Sequence, residues 1–216
     1  MKSAFVVGII LGLVVALGAA RFFPWVDHPR SASLTTVRHN GGRVEDFVIR
    51  FPVDRITTAG TAEMGLRARG YPEGVELPAE MTDEPVLVEH FKLRNIKGDV
   101  IGVAARHASV TAESPTTAWA LTIPSRGTLH LLGAAEPGSL DRELAAAGRI
   151  DGQAWSGELE LTLGESGADS GQIAGGSHEF EDLIGSYTEG WSISGVSQAG
   201  ELRGTINLYT TAELAE

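Results

Sequence analysis

The chain has 216 residues, no cysteine, and 28 acidic against 17 basic side chains, for a net charge of −11. That length suits one domain with a sizeable core, and a 43% hydrophobic content excludes a chain disordered throughout. The acidic balance excludes a nucleic-acid footprint, and the missing cysteines exclude disulfides, thiolate metal sites, cysteine nucleophiles and cysteine lipidation.

The first element is a membrane segment. Lys2 precedes an uninterrupted apolar run from Ala4 to Ala20, closed by Arg21. As a helix rising ~1.5 Å per residue the run is roughly 25 Å long, close to a hydrocarbon core of about 30 Å. Phe22, Phe23 and Trp25 follow as an interfacial aromatic belt would, so residues 1–23 read as an uncleaved anchor with Lys2 in the cytoplasm. The small residues Gly18, Ala19 and Ala20 keep a cleaved secretory signal open as the alternative. Gly8, Gly12, Ala16 and Ala20 fall at every fourth position and make a smooth ridge for contact with another membrane helix. Either way the remaining chain is exported into a periplasm, anchored at the inner membrane or secreted after cleavage.

Residues 24–32, with Pro24 and Pro29, read as a linker, and 33–216 as the exported domain. Strands are expected at Ser33–His39 and Val44–Phe51 around the turn Asn40-Gly41-Gly42. From Pro52 to Pro85 the pattern lapses into Gly, Pro and acids, either a flap or a stretch of short hidden elements. Val86–Asn95 and Asp99–His107 form a hairpin around Lys97-Gly98. Thr117–Ile123 and Thr128–Leu132 flank Pro124-Ser125-Arg126-Gly127. Ser139–Ala147 is the one short helix, with Ser139 at its start, acids in its first turn and Gly148 past its end. Strands resume at Trp155–Leu163, Gly185–Ser194 and Glu201–Thr210. In these late strands apolar residues alternate with polar ones, as in an antiparallel sheet with one wet face. Nine or ten strands must close or fold over to hide their edges, so the fold class is all-β: an antiparallel β-barrel, with a β-sandwich as the alternative.

The stretch Gly175-Gly176-Ser177-His178-Glu179-Phe180-Glu181-Asp182-Leu183-Ile184-Gly185-Ser186-Tyr187-Thr188 resembles the Gly-Gly-Thr-Gly-x-Phe-x-x-Ala-x-Gly motif of the allene oxide cyclase/dirigent-like β-barrels. Ser177-His178 stands in place of Thr-Gly, and Leu183 in place of the small Ala. The resemblance spans Trp155 to Tyr209 and implies a barrel in which this glycine-rich stretch bends sharply between two strands. It carries no catalytic residue over to this chain.

Charge is distributed unevenly. Residues 1–150 hold 16 acids and 16 bases, whereas 151–216 hold 12 acids and one base, Arg203. Such a field suits a basic periplasmic partner. No nucleophile elbow, phosphate loop, dinucleotide fingerprint or metal-ligand spacing is present, so neither catalytic residues, cofactor nor metal are expected. Two acids stand on apolar faces: Glu89 with Leu87, Phe91 and Leu93, and Glu189 between Tyr187 and Trp191. If those faces point inward, Glu89, Phe91, Tyr187, Glu189 and Trp191 line a pocket, or the acids are held by Arg94, Arg106 or Arg203 as structural pairs. The expected function is that of an accessory or protein-interaction subunit of an inner-membrane complex. The alternative is a barrel for a small hydrophobic ligand, as a carrier or a cyclase/isomerase-like enzyme.

Overall fold

The computed structural model describes residues 9, 11–15, 17–18, 35–37, 42–60, 86–109, 117–133, 139–163 and 171–215. Its strands are β1 (Thr35–Val37), β2 (Arg43–Phe51), β3 (Arg55–Gly60), β4 (Val86–Asn95), β5 (Val100–Ser109), β6 (Thr117–Ile123), β7 (Gly127–Leu132), β8 (Trp155–Leu163), β9 (Gly171–Gly176), β10 (Leu183–Val196) and β11 (Leu202–Leu214). Helix α1 (Ser139–Ala146) lies between β7 and β8, and a 3-10 turn (His178–Phe180) between β9 and β10.

Eight strands close an antiparallel barrel in the order β2-β11-β10-β9-β7-β6-β5-β4. The seam is sealed where Phe47 and Val48 of β2 pair with Asn95 and Arg94 of β4. This closed barrel, rather than a sandwich, is the solution to the edge problem. β1 pairs with the start of β2, and β3 prolongs β2 along β4 after a detour through Pro52–Asp54. Asp54 fixes that detour: its carboxylate accepts from the Arg50 backbone N–H and the Arg94 guanidinium, while its carbonyl accepts from Lys92 N–H. β9 and β8 share one side of β10, β9 on Gly185–Tyr187 and β8 on Glu189–Val196.

Alternation decides what is inside. β2 buries Glu45, Phe47, Ile49 and Phe51, and β6 buries Thr117, Trp119, Leu121 and Ile123, with solvent-facing residues between them. The apolar members of these rows, with Phe91, Leu93, Leu131, Tyr187, Trp191, Ile206 and Leu208, form one continuous core. Helix α1 packs Leu144 into that core and Leu140 against it.

Several expectations need correction. β3 falls within 52–85 and β9 within the glycine-rich stretch before Gly185, so the described residues hold eleven strands. β10 and β11 are longer than expected, at 14 and 13 residues. Most of the expected membrane segment 1–23, the linker 24–32, most of the expected turn Asn40-Gly41-Gly42 and the part of 52–85 after Gly60 lie outside the described residues. Residues 9, 11–15 and 17–18 are helical, and a Cβ added at Gly12 would meet nothing within 4 Å. Gly8, Ala16 and Ala20 lie outside the described set. Among the described residues no helix is long and apolar enough to cross a membrane.

Candidate functional site

The register aligns one inward row across four strands: Thr58 on β3 pairs with Glu89 on β4, Glu89 with Arg106 on β5, and Arg106 with Trp119 on β6. The row lies near the barrel end where β3 and β5 finish and β4 and β6 begin. Glu89 is buried, and each of its carboxylate oxygens meets one guanidinium. Arg55 Nη2 lies 3.2 Å from Oε1, and Arg106 Nη1 donates to Oε2 at 3.2 Å. Of the three cations expected as partners, Arg106 is the one used. Arg94 goes to Asp54, and Arg203 sits on the outer face of β11. Arg55 fills the remaining place, and belongs to the strand that pattern reading missed.

Glu189 lies deeper, fully buried, and accepts from Trp119 Nε1 at 3.0 Å and Trp191 Nε1 at 2.9 Å. Burial pushes its carboxyl above the ordinary value of 4.5, against the opposing pull of Arg106 and the two indole hydrogen bonds. The Arg106 guanidinium stands over both indoles, 5.9 Å from the Trp119 centroid and 5.6 Å from that of Trp191. Phe51 stacks on Trp191 at 5.9 Å and meets Phe91 edge-on at 5.2 Å, while Arg55 lies over the Phe51 ring at 5.3 Å. Glu89, Phe91, Glu189 and Trp191 therefore join one interior network, with Tyr187 buried on the same face of β10.

Three buried polar atoms of this region, Arg55 Nε, Arg106 Nε and Thr58 Oγ1, have no hydrogen-bond partner among the described residues. Burying such donors without partners is costly, so their concentration beside Glu89 is unusual. Sequence reading missed Arg55 and Thr58 because β3 was not recognised. Arg106 was detectable, since it shares its face of β5 with Ala104 and Ala108.

A second ionic cluster closes the opposite end. Arg126, in the β6–β7 turn, is buried and donates through Nη2 and Nη1 to Glu45 at 2.6 and 2.9 Å, and through Nη2 and Nε to Glu179 at 3.1 and 3.2 Å. Arg43 adds a bond to Glu179 at 2.9 Å, and the Phe180 ring lies 4.8 Å beneath the Arg126 guanidinium. Glu45 could have been found as Glu89 was, because it shares a face with Phe47, Ile49 and Phe51.

Where β8 begins and β10 ends, a cleft of about 240 Å³ is lined by Pro52, Trp155, Val196, Leu202 and Arg203 among others. It is smaller than the roughly 300 Å³ usual for small-molecule sites. Trp155, half-buried, donates to the Ala147 carbonyl at 3.3 Å and so ties the end of α1 to β8. Among the described residues no three His, Asp or Glu side chains converge to hold a metal ion. No family model matches the chain, and neither does any curated protein.

Proposed function

We propose that this chain is an exported β-barrel domain, held at the inner membrane by residues 1–23, that works by contact as an accessory or protein-interaction subunit of a membrane complex. The observation that carries this reading is the engagement of Glu89 and Glu189, the two interior acids beside the aromatic cluster, by the barrel's own donors. Glu189 is occupied by two indoles and Glu89 by two guanidiniums, so neither carboxylate stands free as an acid or base. On this reading the outer surface does the work. Its acidic C-terminal third suits a basic periplasmic protein, and the ridge Gly8, Gly12, Ala16 and Ala20 suits a second membrane protein within the bilayer. Kinship with the allene oxide cyclase/dirigent-like barrels belongs to the same proposal, as a statement about fold ancestry only.

The test is membrane fractionation followed by detergent extraction and affinity purification of the full chain. Retention in carbonate-washed membranes and a co-purifying protein are expected, with Gly8→Leu plus Gly12→Leu reducing that co-purification. A soluble product whose N-terminus begins after Ala20, or a solitary monomer unaffected by the double substitution, overturns the proposal.

The competing reading, a barrel that holds a small ligand as a carrier or isomerase-like enzyme, is favoured by one observation. The unpartnered donors beside Glu89 are what a ligand with acceptor oxygens would satisfy.

A further inference from the structure

We propose that Arg55, Arg106 and Thr58, gathered around Glu89, form a binding site for a small organic anion: a carboxylate carried on an apolar body. The site deepens the small-ligand reading and is independent of any membrane tether.

Around Glu89, donors outnumber acceptors. A guanidinium offers several N–H groups in a planar fork and accepts nothing. Here two of them converge on one carboxylate, each spending a single Nη on it. Both Nε atoms are buried without a partner, and so is the hydroxyl of Thr58, the direct cross-strand neighbour of Glu89. The other carboxylate nearby, Glu189, has both oxygens engaged by indoles. A region built this way lacks acceptors, and a carboxylate supplies two in the geometry a guanidinium fork matches. The cations are also within reach of solvent. The Arg55 and Arg106 side chains are 20% and 14% exposed, near the end of the barrel opposite the Arg126 cluster. The apolar preference follows from Phe51, which lies under Arg55 and against Trp191, and from the indoles under Arg106. A cation would meet two guanidiniums and is excluded by repulsion.

Glu89 gives the proposal a sharp sign. It is the internal competitor that occupies both guanidiniums, so neutralising it frees donors and removes a charge that repels the incoming anion. A purely structural role for Glu89 predicts the opposite, a disordered site that binds less.

The experiment titrates the detergent-solubilised full chain with benzoate, inorganic phosphate and cyclohexylammonium, following intrinsic tryptophan fluorescence, to which Trp119 and Trp191 contribute, with calorimetry alongside. Benzoate is expected to give a saturable signal, phosphate at least about tenfold weaker binding, and cyclohexylammonium none. Glu89→Gln should tighten benzoate binding by about tenfold and Arg55→Gln weaken it by a similar factor, the scale of one charge-assisted hydrogen bond. Thr58→Val, which breaks no bond within the fold, should weaken binding severalfold and serves as the second variant if Arg55→Gln does not fold. Near-UV circular dichroism verifies that each variant retains its packing. The proposal is overturned by the absence of saturable benzoate binding to both wild type and Glu89→Gln, by weaker binding in folded Glu89→Gln, or by a preference for the cation.

Discussion

Trp119 reaches across the barrel from β6 to β10, where it and Trp191 donate their indole N–H groups to the two oxygens of a single buried carboxylate, Glu189. Two strands, β9 and β7, separate β10 from β6 in the sheet, so this three-residue bridge ties opposite walls through the interior. Glu189→Gln keeps one acceptor oxygen but turns an NH2 group toward the other indole N–H, leaving a buried donor unpaired at a cost of about 1–3 kcal/mol. The carboxyl also carries a pH signature. Because burial raises its pKa in the folded state above the ordinary 4.5, the native chain holds its proton where the unfolded chain has released it. Stability from this group is therefore full below about pH 4.5 and is lost as the pH rises through the folded value. Urea midpoints of wild type and Glu189→Gln measured from acid to neutral pH should draw together as the pH rises. A gap that stays constant means Glu189 titrates alike in both states.

The Arg126 cluster is expected to behave as a buried ion pair whose parts matter more singly than together. Arg126→Met leaves Glu45 charged, buried and short of its guanidinium, with an expected loss of about 3–5 kcal/mol. Adding Glu45→Met removes the stranded charge and fills the space with apolar atoms, so the double variant should recover at least half of that loss. Denaturant unfolding of the two single variants and the double variant gives the coupling directly. A double variant as unstable as the sum of its singles contradicts the ionic account of that end of the barrel.

Thr58 offers a prediction of unusual sign. Its hydroxyl is buried without a partner, so the fold meets a desolvation cost and receives no bond in return. Thr58→Val removes the hydroxyl at nearly constant shape and should stabilise the chain by about 1 kcal/mol, visible as a higher thermal midpoint. A lower midpoint would mean that the oxygen has a role in the fold which the pairing of β3 with β4 does not reveal.

Much of this architecture was legible in the sequence because alternation is a direct record of an inside and an outside. Glu89 and Glu189 were identified as inward acids because their strand neighbours, Phe91, Leu93, Tyr187 and Trp191, are apolar at every second position. What alternation could not supply was their company. The partners of Glu189 include Trp119, 70 residues away, and Arg126 meets Glu45 across 81 residues. Such pairings depend on the order in which strands close, which periodicity does not encode. β3 escaped notice for a local reason: Arg-Ile-Thr-Thr-Ala-Gly carries a bulge between Arg55 and Thr57 that breaks its period of two. β9 escaped because Gly-Gln-Ile-Ala-Gly-Gly offers one large side chain, Ile173, to mark a face. The two missed strands are short and glycine- or bulge-containing, and one of them brings in Arg55 and Thr58.

The same closure makes the β6–β7 turn intolerant of a single methyl group. Gly127 has φ +119°, and a Cβ there would stand 2.1 Å from the carbonyl oxygen of Ser177. That carbonyl belongs to the segment leading into the 3-10 turn, which is docked by Ser177 N–H to Thr128 O at 2.9 Å and Glu179 N–H to Arg126 O at 2.9 Å. Gly133 also has positive φ, at +86°, but a Cβ there meets nothing within 4 Å. Gly133→Ala therefore reports the backbone cost alone, about 1–2 kcal/mol, whereas Gly127→Ala adds a collision that pushes Glu179 and Phe180 away from Arg126. Gly127→Ala should lose at least about 1 kcal/mol more than Gly133→Ala in equilibrium unfolding. Because its damage runs through the docking of Arg126, combining it with Arg126→Met should cost clearly less than the sum of the two. Full additivity of that pair would show that the turn and the ionic cluster stabilise the barrel separately, and equal losses for the two glycines would show that the 3-10 turn yields to a side chain without cost.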